Sequence, residues 1–537
     1  MILSVCLNRV RLKLSCVLGH HRRRRNAACR GRSLAGTFAA RRLWDLSPTC
    51  ERLEVRALLT ANFFEFVDPH PNPGNQFGQS IVPLSTGNVV ITSPYDDAGG
   101  TDAGAVYLFN GATGALISTL IGSTPGDSIG GESYFAKGVT ALSNGNFVIS
   151  SPNWDNGSAT NAGAVTWGNG GTGVSGVVSA TNSLVGSKSG DLVGYDGVTA
   201  LSNGNYVVSS RNWDNGSATD AGAVTWGNGI TGVSGVVSAA NSLVGSHSND
   251  YVGEGGVTAL SNGNYVISSP NWDNGSATDA GAFTWGNGTS GVSGVVSAAN
   301  SLVGSKSGDL VGYVTALSNG NYVVRSRNWD NGSATNAGAV TWGNGTTGVS
   351  GVVSAANSLV GSTLDDQVGY DVEPLSNGNY VVSSRIWNNG SATGAGAVTW
   401  GNGTTGVSGV VSAANSLVGS HSYDNVGYYG VTALSNGNYV VISPNWDNGS
   451  ATNAGAVTWG NGGTGVSGVV SPANSLVGSK SYDNVGYDGV TALSNGNYVV
   501  GSSSWDNGSA TDAGAVTWGN GTTGVSGVIS PANSLVG

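Results

Sequence analysis

Between Val198 and Val244 short apolar runs alternate with turn-forming clusters, and no stretch keeps a helical period. Val198-Thr199-Ala200-Leu201 reads as a short strand. Ser202-Asn203-Gly204-Asn205 reads as a turn, because Asn-Gly accepts the left-handed conformation that a tight hairpin needs. Tyr206-Val207-Val208-Ser209 is rich in β-branched and aromatic residues and predicts a second strand. A polar loop runs from Arg211 to Ala221. Ala223-Val224-Thr225-Trp226 predicts a third strand, with Val224 and Trp226 on one face by period-two alternation. A second Asn-Gly turn follows at Asn228-Gly229. Val236-Val237-Ser238 through Leu243-Val244 supplies a less regular fourth strand.

This unit recurs eight times. The motif Leu-Ser-x-Gly-Asn begins at Leu84, Leu142, Leu201, Leu260, Leu317, Leu375, Leu434 and Leu493, with spacings of 58, 59, 59, 57, 58, 59 and 59 residues. Seven copies carry two Trp residues thirteen positions apart, as in Trp213/Trp226 and Trp329/Trp342, whereas the first copy has Tyr95 and Leu108 there. Four short antiparallel strands per unit predict an all-β domain over residues 61–537, a β-propeller of about eight four-stranded blades. A lone sheet of this size buries too little, while stacked units share their faces and ring closure would cover the end faces. Phe63–Phe66 is placed to complete the last blade across the junction. The competing arrangement is a right-handed β-solenoid with three coils of roughly 20 residues per repeat. Parallel coils would not need two Asn-Gly hairpin signals per unit.

Charge divides the chain. Residues 1–56 hold 13 of the 21 Lys and Arg and three acidic residues, so residues 57–537 hold eight basic and 28 acidic ones. An acidic body repels phosphates and excludes nucleic acid as the expected partner. It favours cations, basic partners or neutral glycans. All four cysteines (Cys6, Cys16, Cys29, Cys50) lie in the basic leader. With no Cys, and with only His70, His247 and His421, the body has no zinc site of ordinary type.

Residues 1–60 read as a basic leader, disordered and used for export. Its apolar segments are short and broken by basic residues, so no transmembrane helix is expected. Leu53-Glu54-Val55-Arg56-Ala57-Leu58-Leu59-Thr60-Ala61 resembles a segment near the start of many planctomycete exported proteins. The resemblance implies an extracellular or cell-surface location.

The first copy reads Phe77-Gly78-Gln79-Ser80, Thr92-Ser93-Pro94 and Gly104-Ala105-Val106-Tyr107-Leu108-Phe109. It resembles FG-GAP repeats, the blades of integrin-type propellers. Later copies, with Ser150-Ser151-Pro152 and Gly163-Ala164-Val165-Thr166-Trp167, are similar to a bacterial repeat of uncharacterised function found beside filamentous-haemagglutinin-like sequences. FG-GAP blades often bind calcium through an Asp-x-Asn-Gly-Asp-Gly loop. Here the equivalent is Ser143-Asn144-Gly145-Asn146, without a carboxylate, so that calcium site is not carried over.

Carboxylates gather instead on the predicted opposite face. Asp127, Asp191, Asp250, Asp309, Asp366, Asp424 and Asp483 each lie three residues before a Gly in the inter-blade link. Asp155, Asp214, Asp273, Asp330, Asp447 and Asp506 sit in the loop after strand two. They are candidates for a cation-binding ring, but their first expectation is to accept backbone hydrogen bonds and fix turns. Asn388 replaces one of the second set, which suits a turn. Copies differ mainly in the link and just before the first Trp (Pro152, Arg211, Pro270, Arg327, Arg385, Pro444, Ser503), a candidate binding surface. The recurring Trp residues are expected in the inter-blade core rather than stacked on sugars. No nucleophile with a base, split carboxylate pair or phosphate loop stands out, so no catalytic residue and no cofactor are expected. The expected function is a non-catalytic surface repeat protein, adhesive, ligand-binding or structural, with a glycan or surface protein as partner. The alternative is a secreted propeller enzyme acting on glycans.

Overall fold

The computed structural model describes residues 65–132 and 137–537. The leader expectation and Phe63 lie outside them. Among the described residues every regular element is a β-strand, and no helix is long and apolar enough to cross a membrane.

The third repeat shows how the unit is built. Val198–Ala200, Tyr206–Ser210, Ala223–Gly227 and Ser242–Val244 form an antiparallel meander. Its first turn is wider than the two-residue hairpin the Asn-Gly pair suggests. The Leu201 amide donates to the Asn205 carbonyl, that of Gly204 donates to the Leu201 carbonyl, and only Gly204 takes positive φ, at 88°. That is a type I turn closed by a left-handed glycine, the next most favoured hairpin connection.

The less regular fourth strand divides in two. Ser242–Val244 stays in its own sheet, whereas Gly235–Val236 crosses to the preceding repeat and pairs in parallel with Ser183–Val185. Ser238 and Asn241 explain the separation. The Ser238 amide donates to Asn241 Oδ1 (2.9 Å) and Asn241 Nδ2 donates to the Val236 carbonyl (2.9 Å), folding the chain back between the two pieces. Each of the first seven sheets gains a fifth strand this way, and the eighth has four. The eight-unit, four-stranded, β-propeller-like reading therefore holds, with an inter-repeat strand added. Antiparallel ladders within every repeat exclude the coils of a solenoid.

Because each sheet from the second to the seventh lies between two others, its central strands are apolar on both faces. Val207, Val224 and Leu243 of repeat three pack on Tyr265, Ile267, Trp272 and Val303 of repeat four. Tyr206, Val208, Trp213 and Val244 face repeat two. Trp213 and its equivalents are thus inter-repeat core, as their repetition implies. Tyr206 lies opposite Gly227 in the ladder, and a Cβ there would stand 2.1 Å from the Tyr206 ring. Glycine ends the third strand because the neighbouring tyrosine occupies that space.

The two ends differ. On repeat one, Phe66 packs against Phe109 (ring centroids 5.4 Å apart) and Phe77 against Tyr107 and Phe109. Phe66 therefore covers the first sheet instead of completing the last, because the aromatic face of the divergent first copy offers it a partner. On repeat eight the outward side chains Val516, Trp518 and Leu535 are exposed, Leu535 at 80%.

Candidate functional site

The repeated Asn-Gly turns hold neighbours together. Asn203 Nδ2, Asn205 Nδ2 and Trp226 Nε1 all donate to the Gly288 carbonyl of the next repeat, at 2.8, 2.8 and 3.0 Å. The same clasp closes on Gly229, Gly345, Gly403, Gly462 and Gly521. In repeat one Thr86 and Asn88 reach Gly170 without a Trp. In repeats two to seven the second Trp is thereby tied to inter-repeat packing, as a core role requires, whereas Trp518 of repeat eight is exposed.

The seven link aspartates are turn closers. Asp191 Oδ2 accepts from the amides of Ser187 (2.7 Å) and Lys188 (2.9 Å), and Oδ1 from that of Asp214 (3.1 Å). Asp127, Asp250, Asp309, Asp366, Asp424 and Asp483 repeat the pattern, and all seven are buried. Burial pushes the Asp191, Asp250, Asp309 and Asp424 carboxyls upward, and the backbone donors oppose it. The second aspartate set closes the adjacent loop. Asp214 accepts from the Asp220 amide, and Asn388 does the same for Gly394. An Asn side-chain oxygen is enough for that task. Among the described residues no group of three or more His, Cys, Asp or Glu is arranged to hold a metal ion.

Residues shared by only some of the copies form a different surface on the same connections. Tyr195, Tyr313, Tyr370, Tyr428 and Tyr487 each follow the link glycine, and Arg211, Arg327 and Arg385 follow strand two. The Arg385 guanidinium lies between the rings of Tyr370 (3.5 Å to centroid) and Tyr428 (4.8 Å). Tyr428 packs on Tyr429, and Tyr429 on Tyr487, with ring centroids 5.6 and 5.5 Å apart. Arg327 lies 6.0 Å from the Tyr370 ring. Numbered by their Leu-Ser motifs, repeats five to eight therefore share one continuous series of aromatic rings and guanidinium groups. Tyr313, Tyr428, Tyr429 and Tyr487 are exposed. At the other end of this surface Arg211 pairs with Asp196 at 3.1 Å.

The series contains one cavity of about 130 Å³, lined by Tyr313, Arg325, Arg327, Gly369 and Tyr370. It sits where the repeat is shortened. Repeat five enters its first strand directly at Tyr313 and repeat six at Asp371, so both strands are four residues long instead of three. Those deletions are the 57- and 58-residue spacings of the Leu motif that end at Leu317 and Leu375. Arg325 stands where repeats three, four and six have Ser209, Ser268 and Ser383. Its Nη1 donates to Asp371 Oδ1 (3.1 Å) and to the Tyr370 carbonyl (3.2 Å). Its Nε is buried without a partner among the described residues. Arg327 and Arg385 stand out in the sequence as variable loop positions, whereas Arg325 and the tyrosines do not. The unequal spacings were the available signal.

No curated protein sequence matches the chain. Among solved structures it resembles a eukaryotic initiation factor (10% identity, 88% of this chain and 90% of that one covered, TM-score 0.31). It also resembles BamB from Moraxella catarrhalis (12% identity, 68% and 82% covered, TM-score 0.24). A third likeness is to a catalytically inactive virginiamycin B lyase from Staphylococcus aureus (8% identity, 68% and 90% covered, TM-score 0.25). The architecture rests on the chain's own ladders rather than on these likenesses. The family model described as a repeat of unknown function (DUF5650) matches residues 83–131, 141–195, 200–254, 259–313, 316–370, 374–428, 433–487 and 492–537. The chain belongs to that family.

Proposed function

We propose that the repeats are a non-catalytic binding scaffold of an exported protein, presenting the Tyr/Arg series to an extended ligand outside the cell or at its surface. The observation that carries this reading is the Arg385 sandwich between Tyr370 and Tyr428, continued through Tyr429 and Tyr487 across repeats six to eight. Strands and turns are otherwise nearly identical from copy to copy, so aromatic and cationic side chains placed on their connections are free to serve recognition. The resemblance of Leu53–Ala61 to exported leaders supports the location. The acidic, Cys-free body is compatible with it.

Two measurements test the proposal. The full chain should bind members of an array of glycans and cell-envelope fractions, and a chelator should leave binding unchanged because backbone amides already fill the aspartate turns. Binding abolished by the chelator would restore a metal-assisted reading, and no binding in either condition would leave a purely structural role. Fractionation of producing cells should place the protein in the envelope or medium, and retention in the cytoplasm would overturn the export reading.

A further inference from the structure

We infer that the cavity between repeats five and six is a subsite for an acidic sugar residue, one bearing a carboxylate or sulfate, within a longer polysaccharide laid along the tyrosine series. This rests on the binding-scaffold reading and specifies its ligand. Three of the eight basic residues of the acidic body, Arg325, Arg327 and Arg385, gather at this junction. Asp371 engages Arg325, whereas Arg327 and Arg385 have no acidic partner among the described residues. A body that carries so few cations has concentrated them where the repeat pattern is broken.

The donor chemistry selects an anion. A guanidinium is a planar fork of donors that matches a carboxylate or sulfate in two parallel hydrogen bonds. Arg327 is exposed beside the cavity, and Arg325 lines it, held in place by Asp371 and the Tyr370 carbonyl. The aromatic chemistry selects a ring. Tyr313 and Tyr370 line the cavity walls, and Tyr428, Tyr429 and Tyr487 continue the platform over the next two repeats. Flat apolar faces at successive repeats suit the faces of successive sugar rings, with the charged substituent of one ring seated among the arginines. Arg385, held between two rings, keeps its edge available for hydrogen bonding.

The test is calorimetric titration of the full-length chain with polygalacturonate, dextran sulfate, unsubstituted dextran and polyglutamate, at low salt. Polygalacturonate or dextran sulfate should bind, and the stronger of the two assigns carboxylate or sulfate. Arg327→Ala should weaken that binding by about tenfold or more, as loss of a charge-assisted hydrogen bond predicts. Tyr313→Ala should weaken it as well, while Lys188→Gln, a charge change at a distant link, should not. Unchanged melting temperatures would keep these effects separate from misfolding. Polyglutamate binding as tightly as either acidic glycan would reduce the site to a charge patch and overturn the sugar assignment. Dextran bound equally well, with Arg327→Ala silent, would overturn the acidic subsite and leave the scaffold reading intact. Failure of every polymer here together with an empty glycan array would remove both.

Discussion

Asp309 and Tyr313 lie four residues apart in one link, yet they belong to different regions of the molecule. Asp309 is buried, accepts three backbone hydrogen bonds, and has a counterpart in every inter-repeat link. Tyr313 is 53% exposed, borders the arginine cavity, and opens the first strand where the link is shortened. The contrast shows how to read a nearly perfect repeat. A residue that recurs at every junction is explained by a bond that recurs at every junction, as with the link aspartates and the Asn/Trp clasps. A residue that departs from the pattern without a structural partner is the better candidate for recognition. Arg327 fits the second description, and Arg385 also departs from the pattern, with partners that are rings of the same surface series, Tyr370 and Tyr428. Lys188 does not fit it, because it hydrogen-bonds the Gly216 carbonyl and sits 3.9 Å from Asp214.

The strongest way to break this division is at a turn. Asp191→Ala removes the buried acceptor of three part-buried amides, each worth up to about 1–3 kcal/mol when unsatisfied and less where water reaches it, so a loss of roughly 2–4 kcal/mol is expected. Urea unfolding measures it, and hydrogen exchange at Ser187, Lys188 and Asp214 locates it. Ligand binding between repeats five and six should survive. If binding disappeared with stability intact, the aspartates would be a functional ring after all.

Arg385→Ala probes the other side. It removes a guanidinium stacked between two tyrosines, and such contacts contribute about 0.5–2 kcal/mol. Binding of the extended ligand should fall about tenfold with stability lowered by no more than that contribution. Lysine should not rescue it, because an ammonium cannot stack between the rings as a planar group does. A full rescue would show that charge alone matters.

The clasp offers an internal control. Trp342→Phe deletes a donor to the Gly403 carbonyl and should cost about 1 kcal/mol. Trp518 occupies the same position in repeat eight but is 53% exposed, so Trp518→Phe should cost nearly nothing by the same thermal unfolding measurement. Equal costs would show that the eighth repeat's outward face is covered in solution.

The strand ladders were legible because alternation and turn residues are local signals, repeated eight times. The first-turn geometry was not, since Asn-Gly serves both a two-residue hairpin and a type I turn with a closing glycine. Gly235–Val236 also escaped, because two residues carry no register and their partner is in another repeat. The cavity was visible only as two short spacings. A deletion shows where a loop tightens, but not that Tyr313, Arg325 and Tyr370 meet there across two repeats.

Acid separates the two regions by the smallest effect. Burial raises the carboxyls of Asp191, Asp250, Asp309 and Asp424 above their ordinary value of 3.8. Between that value and the raised ones, the folded protein holds protons that the unfolded chain has released. Stability then falls as pH rises through this window, so acidification from neutral pH toward the ordinary carboxylate range should raise the melting temperature by a small amount. Relief of repulsion within the acidic body acts in the same direction. A guanidinium keeps its charge over this range and sugar carboxylates stay ionised, so affinity at the cavity should be flat over the same range. Asp250→Asn should reduce the slope of the stability profile and leave the binding profile unmoved. A melting temperature that falls on acidification would mean that backbone amides outweigh burial, and that the aspartate turns draw their strength from charge.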